Sequence, residues 1–154
     1  MWLWRHLRHR CGYGVHSPFL YEVVRGAMLP RRSVGESREL HDALVARGVD
    51  KRTARRLQNL VSVVGYKGAT IDSVQSKGEL GVATIRCEES TLRSMAARVA
   101  TEGGALCIIT PVGHPSRRAI CRELIGAHRS MSASKPSLTL LFGRPDLPKQ
   151  HIDI

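Results

Sequence analysis

The 154-residue sequence is poor in aromatic side chains: two Trp, three Tyr and two Phe. Aliphatic residues must therefore fill whatever core it builds. It also lacks a long apolar run. No stretch approaches the ~20 residues that a membrane-spanning helix needs. The charged start, Met1-Trp-Leu-Trp-Arg-His-Leu-Arg-His-Arg10, is followed by no apolar h-region, which argues against a secretory signal. The four cysteines, Cys11, Cys87, Cys107 and Cys121, form no CxxC pair. That argues for reduced thiols in a cytoplasmic protein rather than a disulfide framework. No GxSxG elbow is present, so a nucleophilic serine of that kind has no seat. Adjacent carboxylates occur only as Glu88-Glu89, at the start of an expected helix, where they suit its macrodipole.

Negative charge is scarce as well. Lys and Arg number 24 against 13 Asp and Glu, for a net +11. Residues 1–60 hold 12 basic against 5 acidic side chains and residues 61–154 hold 12 against 8, so the front end is the more basic. Such an excess favours a polyanion, either nucleic acid or an anionic membrane face, and it also fits a plain solvated surface. The candidates are Arg31, Arg32, Lys51, Arg52, Arg55 and Arg56, with Arg5, Arg8 and Arg10 ahead of them. No recognised RNA- or DNA-binding motif frames them. His6, His9, Cys11 and His16 fall within eleven residues but match no standard zinc spacing, so no metal is expected. Trp2, Trp4 and Leu7 among those arginines suit either a membrane surface or docking on the chain's own core.

Periodicity organises the rest. Ser17-Pro18 opens a helix with Leu20, Val23, Val24, Ala27 and Met28 on one face, ended by Pro30. A second helix is expected from about Glu36 to Arg47, with Leu40, Ala43 and Leu44 inward. Asp50 caps a third, with Ala54, Leu57, Leu60, Val61 and Val64 inward, Lys51, Arg52, Arg55 and Arg56 opposite, and Gly65 as its stop. From Gly68 the period changes. Strands are expected at residues 69–74, 81–87, 105–110 and 137–142, with a weak one at 131–135. Helices are expected over 88–101, with Leu92, Met95, Ala96 and Val99 inward, and from Pro115, with Ile120, Leu124 and Ile125 inward. Alternation of strand and helix predicts a parallel α/β sheet of four to five strands with helices on its faces. It follows a helical basic segment at 1–66, within a single domain whose sheet portion is 67–154. Only residues 75–80 separate Val74 from Gly81, and a parallel crossover ordinarily takes a dozen or more. The spacing therefore predicts a hairpin turned at Gly78-Glu-Leu-Gly81, or else only one true strand there.

Two stretches resemble a known family. Gly12-Tyr-Gly-Val-His-Ser-Pro-Phe-Leu-Tyr21 resembles a G-x-HSPF-x-Y signature ahead of the catalytic domain in a group of bacterial, Bacteroidetes-type class I S-adenosylmethionine-dependent methyltransferases. Leu140-Leu-Phe-Gly-Arg-Pro-Asp-Leu-Pro-Lys-Gln-His-Ile152 looks like that family's last strand and Lys-Gln-His tail. Between them, Gly81–Cys87 would be the fourth strand, and Gly103-Gly-Ala-Leu-Cys-Ile-Ile109 looks like the Gly-Gly lead into the fifth. The resemblance implies a truncated Rossmann-like sheet and methyl transfer from S-adenosylmethionine to an unknown acceptor, alone or in an oligomer. Gly78 and Gly81 would then be the remnant of the cofactor loop, and His16 and Ser17 capping and packing residues. The chain is shorter than the family's layout. The family's acidic residues after the fourth and fifth strands are replaced by Arg86-Cys87 and Thr110-Pro111. The alternative is a non-catalytic basic module that binds nucleic acid or another polyanion.

Overall fold

The computed structural model describes residues 17–154. The chain divides into two compact units, Met1–Gly65 together with Ile154, and Tyr66–Asp153.

The described part of the first unit is helical. Helix α1, Pro18–Val23, starts at Ser17, whose hydroxyl accepts a hydrogen bond from the Leu20 amide at 3.4 Å. It runs directly into one turn of π-helix, Val24–Met28. Leu20, Val23, Val24, Ala27 and Met28 are all buried, as their spacing requires. Helix α2, Glu39–Ala46, buries Leu40 and Leu44. Helix α3, Lys51–Val64, is capped by Asp50, whose Oδ1 accepts from the Thr53 amide at 2.9 Å, and it ends on Gly65 at φ 79°. Ala54, Leu57 and Leu60 are buried, whereas Val61 and Val64 are half-buried.

The second unit is an α/β structure built on six strands: β1 Ala69–Ile71, β2 Leu80–Ala83, β3 Gly104–Ile109, β4 Met131–Lys135, β5 Leu138–Gly143 and β6 Gln150–Asp153. They lie in the order β1-β2-β3-β5-β4-β6. The neighbours β1–β2, β2–β3 and β4–β6 are parallel, and β5 runs antiparallel to both β3 and β4. Helix α4, Glu89–Glu102, joins β2 to β3, and α5, Pro115–Ala127, joins β3 to β4. Leu92, Met95, Ala96 and Val99 of α4 and Cys121 of α5 share one buried cluster with Leu106 and Ile108 of β3 and Leu141 of β5. The alternate residues of these strands, Ala105, Cys107, Leu140 and Phe142, are buried too. Burial on both faces is why these strands read as continuous apolar runs.

Two expectations are corrected. The sheet has six strands, not four or five, because the Lys-Gln-His tail supplies β6. Gln150, His151 and Asp153 have little strand propensity, and the alternating half-buried and exposed positions of β6 carry almost no apolar signal. Second, β1 and β2 do not form a hairpin. They pair in parallel, Ala69 with Leu80 through Ile71 with Val82. The dozen-residue minimum assumes strands of ordinary length crossed by a helix. Here β1 is three residues long, so the chain must return only about 10 Å, at ~3.3 Å per residue. The extended reach of the connection over residues 72–79 is about 26 Å, which is ample.

That connection packs against α4. Gln75 is almost fully buried, and its Nε2 donates to the Met95 carbonyl of α4 at 3.1 Å. A Cβ on Gly81 would sit 2.8 Å from Gln75 Oε1 and 2.9 Å from Met95 Cε, so the Gln75 and Met95 side chains pack directly on the glycine. The Gly-Gly lead into β3 is constrained by backbone. Gly104 has φ 78°, and a Cβ there would collide with the Glu79 carbonyl, whose oxygen accepts from the Ala105 amide at 3.1 Å.

Candidate functional site

Open α/β sheets bind ligands beyond the C-terminal ends of their parallel strands. At that end of β1 stands Asp72, a non-glycine residue with φ 55°. Asp tolerates this left-handed conformation better than most side chains. Its own amide donates to the Val82 carbonyl at 2.9 Å. Its Oδ1 accepts from the Thr84 amide at 2.6 Å, and its Oδ2 from the Thr84 hydroxyl at 2.5 Å. The carboxylate thus fastens the end of β1 to the end of β2.

Beyond β2 the chain turns through residues 84–87, and Arg117, from the first turn of α5, closes that turn. Arg117 is only 7% exposed. Its Nη2 donates to the carbonyls of Thr84 (3.4 Å), Ile85 (3.2 Å) and Cys87 (2.7 Å). Its Nη1 is also enclosed, without an acceptor among the described residues. Burial pushes the Cys87 thiol up; Asp72 and Glu88 add to the rise while Arg117 opposes it. A thiol held protonated is a poor nucleophile. At the end of β3, the buried Thr110 hydroxyl meets Cys121 Sγ at 3.5 Å. The Asp72 carboxylate and the Thr84 and Thr110 hydroxyls are therefore engaged in holding the chain together. Cys87, Cys107 and Cys121 are free and buried.

Gly78 and Gly81 are not at this end of the sheet. Gly78, at φ 76°, lies in the turn that leads into β2, and Gly81 lies within β2 against Gln75 and Met95. Asp72, Thr84 and Arg117, which do converge here, were not picked out by sequence. Asp72 was hidden inside an expected strand over 69–74, and Arg117 on a helix read only for its apolar positions. An Asp placed just beyond the Ala-Thr-Ile run of β1 was the available signal.

The basic candidates lie in the helical unit. Arg31, Arg32, Lys51 and Arg52 are exposed and Arg55 is half-buried. None of the five has an ion pair among the described residues. Arg56 is different: it is 9% exposed, and its Nε donates to the Met28 carbonyl at 3.0 Å. Its expected place on the solvent face of α3 is thus corrected, because the guanidinium turns inward to close the end of the π-helical turn. Burial lowers the Arg56 pKa, and the charges of Arg52 and Arg55 lower it further, with Asp50 alone opposing.

The neighbouring irregular segment, residues 29–38, is tied to α3. Asn59, fully buried, accepts from the Val34 amide at 2.9 Å through Oδ1 and donates to the Arg32 carbonyl at 3.0 Å through Nδ2. Gln58 Oε1 accepts from the amides of Leu40 (3.0 Å) and His41 (3.2 Å) at the start of α2. Arg31 and Arg32 are thereby held along the same helix that carries Arg52 and Arg55.

The residues read as a zinc candidate (His6, His9, Cys11, His16), as a membrane-facing arm (Trp2, Trp4, Leu7) and as further cations (Arg5, Arg8, Arg10) lie outside the described residues. Among the described residues, no group of three or more His, Cys, Asp or Glu is placed to hold a metal ion. No described helix is long and apolar enough to cross a membrane. Comparison with known proteins finds no match to this chain among family models, curated proteins or solved structures.

Proposed function

We propose that this chain is a methyltransferase-like protein that no longer transfers methyl groups and binds a polyanion, with nucleic acid as the best fit, through its helical unit. The observation that carries this reading is the set of Arg31, Arg32, Lys51, Arg52 and Arg55, which has no ion pairs among the described residues; Arg52 and Arg55 also oppose the charge of the buried Arg56. Arginine is the better phosphate ligand of the two cations, because its planar fork matches phosphate oxygens. Four of these five side chains are Arg. A strand, helix, strand, helix and reversed-strand order supports descent from the class I methyltransferase sheet, as the terminal motifs do. The crosslinks at the strand ends argue against a working cofactor pocket. Both oxygens of Asp72 and the Nη2 of Arg117 are engaged by the turn after β2 rather than free for a ligand. The buried reduced thiols fit a cytoplasmic protein.

Binding of a 20-nucleotide RNA and of a 20-base-pair DNA at rising salt tests the reading. Each phosphate neutralised contributes about −0.7 (single strand) to −0.9 (duplex) to the slope of log K against log salt, so five cations give roughly −3.5 to −4.5. A slope near zero contradicts an electrostatic interface. The strand order also favours a second reading, methyl transfer from S-adenosylmethionine by an assembled oligomer. Isothermal titration with millimolar S-adenosylmethionine separates the two: heat of binding supports the second reading, and its absence removes it.

A further inference from the structure

Helix α3 carries a stripe of polar side chains directed at backbone rather than at solvent. Arg56 holds the Met28 carbonyl, Asn59 holds both Arg32 and Val34, and Gln58 holds Leu40 and His41. Arg56 and Asn59 are three residues apart, so their anchor points lie within about one helical turn, ~5 Å of rise. Between those anchors run Arg31 and Arg32. The segment has no regular hydrogen bonding of its own over residues 29–38. An irregular segment has no repeating partners for its amides and carbonyls, so side chains must supply them. Asn59 supplies one acceptor and one donor, in the manner of a neighbouring strand. Gly35 lets the segment approach closely: a Cβ there would lie 2.6 Å from Ser62 Oγ on the next turn of α3.

We infer that Asn59 is a positioning residue for a phosphodiester backbone, fixing Arg31 and Arg32 beside Arg52 and Arg55 so that the cations meet the ligand as a preformed array. The inference rests on the proposed polyanion binding and deepens it. Among the five exposed or half-buried cations no Trp, Tyr or Phe is interleaved in sequence, so the array is suited to reading phosphates rather than bases. Its advantage is entropic, because arginines on a fixed backbone lose less freedom on binding than arginines on a loose loop.

A double-mutant cycle with fluorescein-labelled 20-nucleotide polyuridylate tests this. Replacing both Arg31 and Arg32 by Ala should reduce the magnitude of the salt slope by about 1.4, two phosphates at ~0.7 each. Asn59→Leu should weaken binding about three- to tenfold at low salt with Arg31 and Arg32 present, and should have no further effect once they are gone. A loss of the same factor in both backgrounds, or no loss in either, overturns the role of Asn59. Should Asn59→Leu fail to fold, Gly35→Ala displaces the same segment without touching a buried side chain of the core, and the same pattern is expected of it. If the unmodified chain shows no salt-dependent binding of polyuridylate, the reading on which the inference rests has failed, and Asn59 with it. Binding that persists with additive effects fails Asn59 alone.

Discussion

Two regions of the molecule use their charged side chains in opposite ways. At the C-terminal ends of β1 and β2, Arg117 is buried and its Nη2 donates to three carbonyls of the turn after β2, while both oxygens of Asp72 accept from Thr84. On the helical unit, Arg31, Arg32, Lys51, Arg52 and Arg55 have no ion pairs among the described residues. One set of charged groups is largely engaged by the fold, and the other has no ion pairs among the described residues. The contrast motivates the proposal that a polyanion meets the helical unit rather than the end of the sheet.

Substitutions can break this contrast, and their expected effects on stability fall in a clear order. Gly104→Ala should cost about 3 kcal/mol or more, since it adds left-handed strain to a collision with the Glu79 backbone. A thermal melt reads it directly. Arg117→Ala should cost about 2–4 kcal/mol, because three carbonyls lose a charged donor in a buried setting. If urea denaturation gave Arg117→Ala the stability of the parent chain, the sheet end would be looser than described. Asp72→Ala should cost about 2 kcal/mol through the Thr84 contacts, with Asp72→Asn milder because it keeps an acceptor and tolerates the same φ.

Smaller effects belong to the helical unit. Asp50→Ala removes the cap of α3 and should cost about 1 kcal/mol. Burial alone would raise the Asp50 carboxyl. Hydrogen bonds from Thr53 and Arg52 and the charge of Arg56 outweigh it and hold the pKa below its ordinary value. A lowered native pKa means that the cap contributes fully above the unfolded value, ~3.9, and fades as pH falls through the native one. The stability gap between parent and Asp50→Ala should thus be constant above about pH 5 and shrink below about pH 4. The smallest change in stability, within about 0.5 kcal/mol, is expected for replacing Arg31, Arg32 and Arg52 together by Ala, while polyanion binding falls steeply.

Much of this architecture was legible in the sequence because apolar periodicity reports burial. Leu92, Met95, Ala96 and Val99 were read as the inner face of α4, and they are buried. Ser17 and Asp50 were read as helix caps, and both accept the expected amides. Polar networks were not legible, because no period announces them. Gln58 and Asn59 lie on the buried side of α3 in service of backbone 17 to 27 residues away. Arg56 shared the spacing of its solvent-facing neighbours and differs only in what it reaches. The parallel pairing of β1 with β2 escaped because it depends on strand length, which was overestimated for both strands. The site candidates followed the same rule: Arg31, Arg32, Lys51 and Arg52 are exposed as composition suggested, whereas Asp72 and Arg117 matter through geometry alone.

The most direct test is residue-resolved. Amide chemical shifts of the isotope-labelled chain, followed during titration with a 20-nucleotide RNA at low salt, locate the surface that responds. The account expects shifts concentrated in residues 31–34 and 50–56, with residues 72–75, 84–87 and 110–114 silent. Shifts concentrated at the strand ends instead would contradict it, and would return the ligand to the sheet.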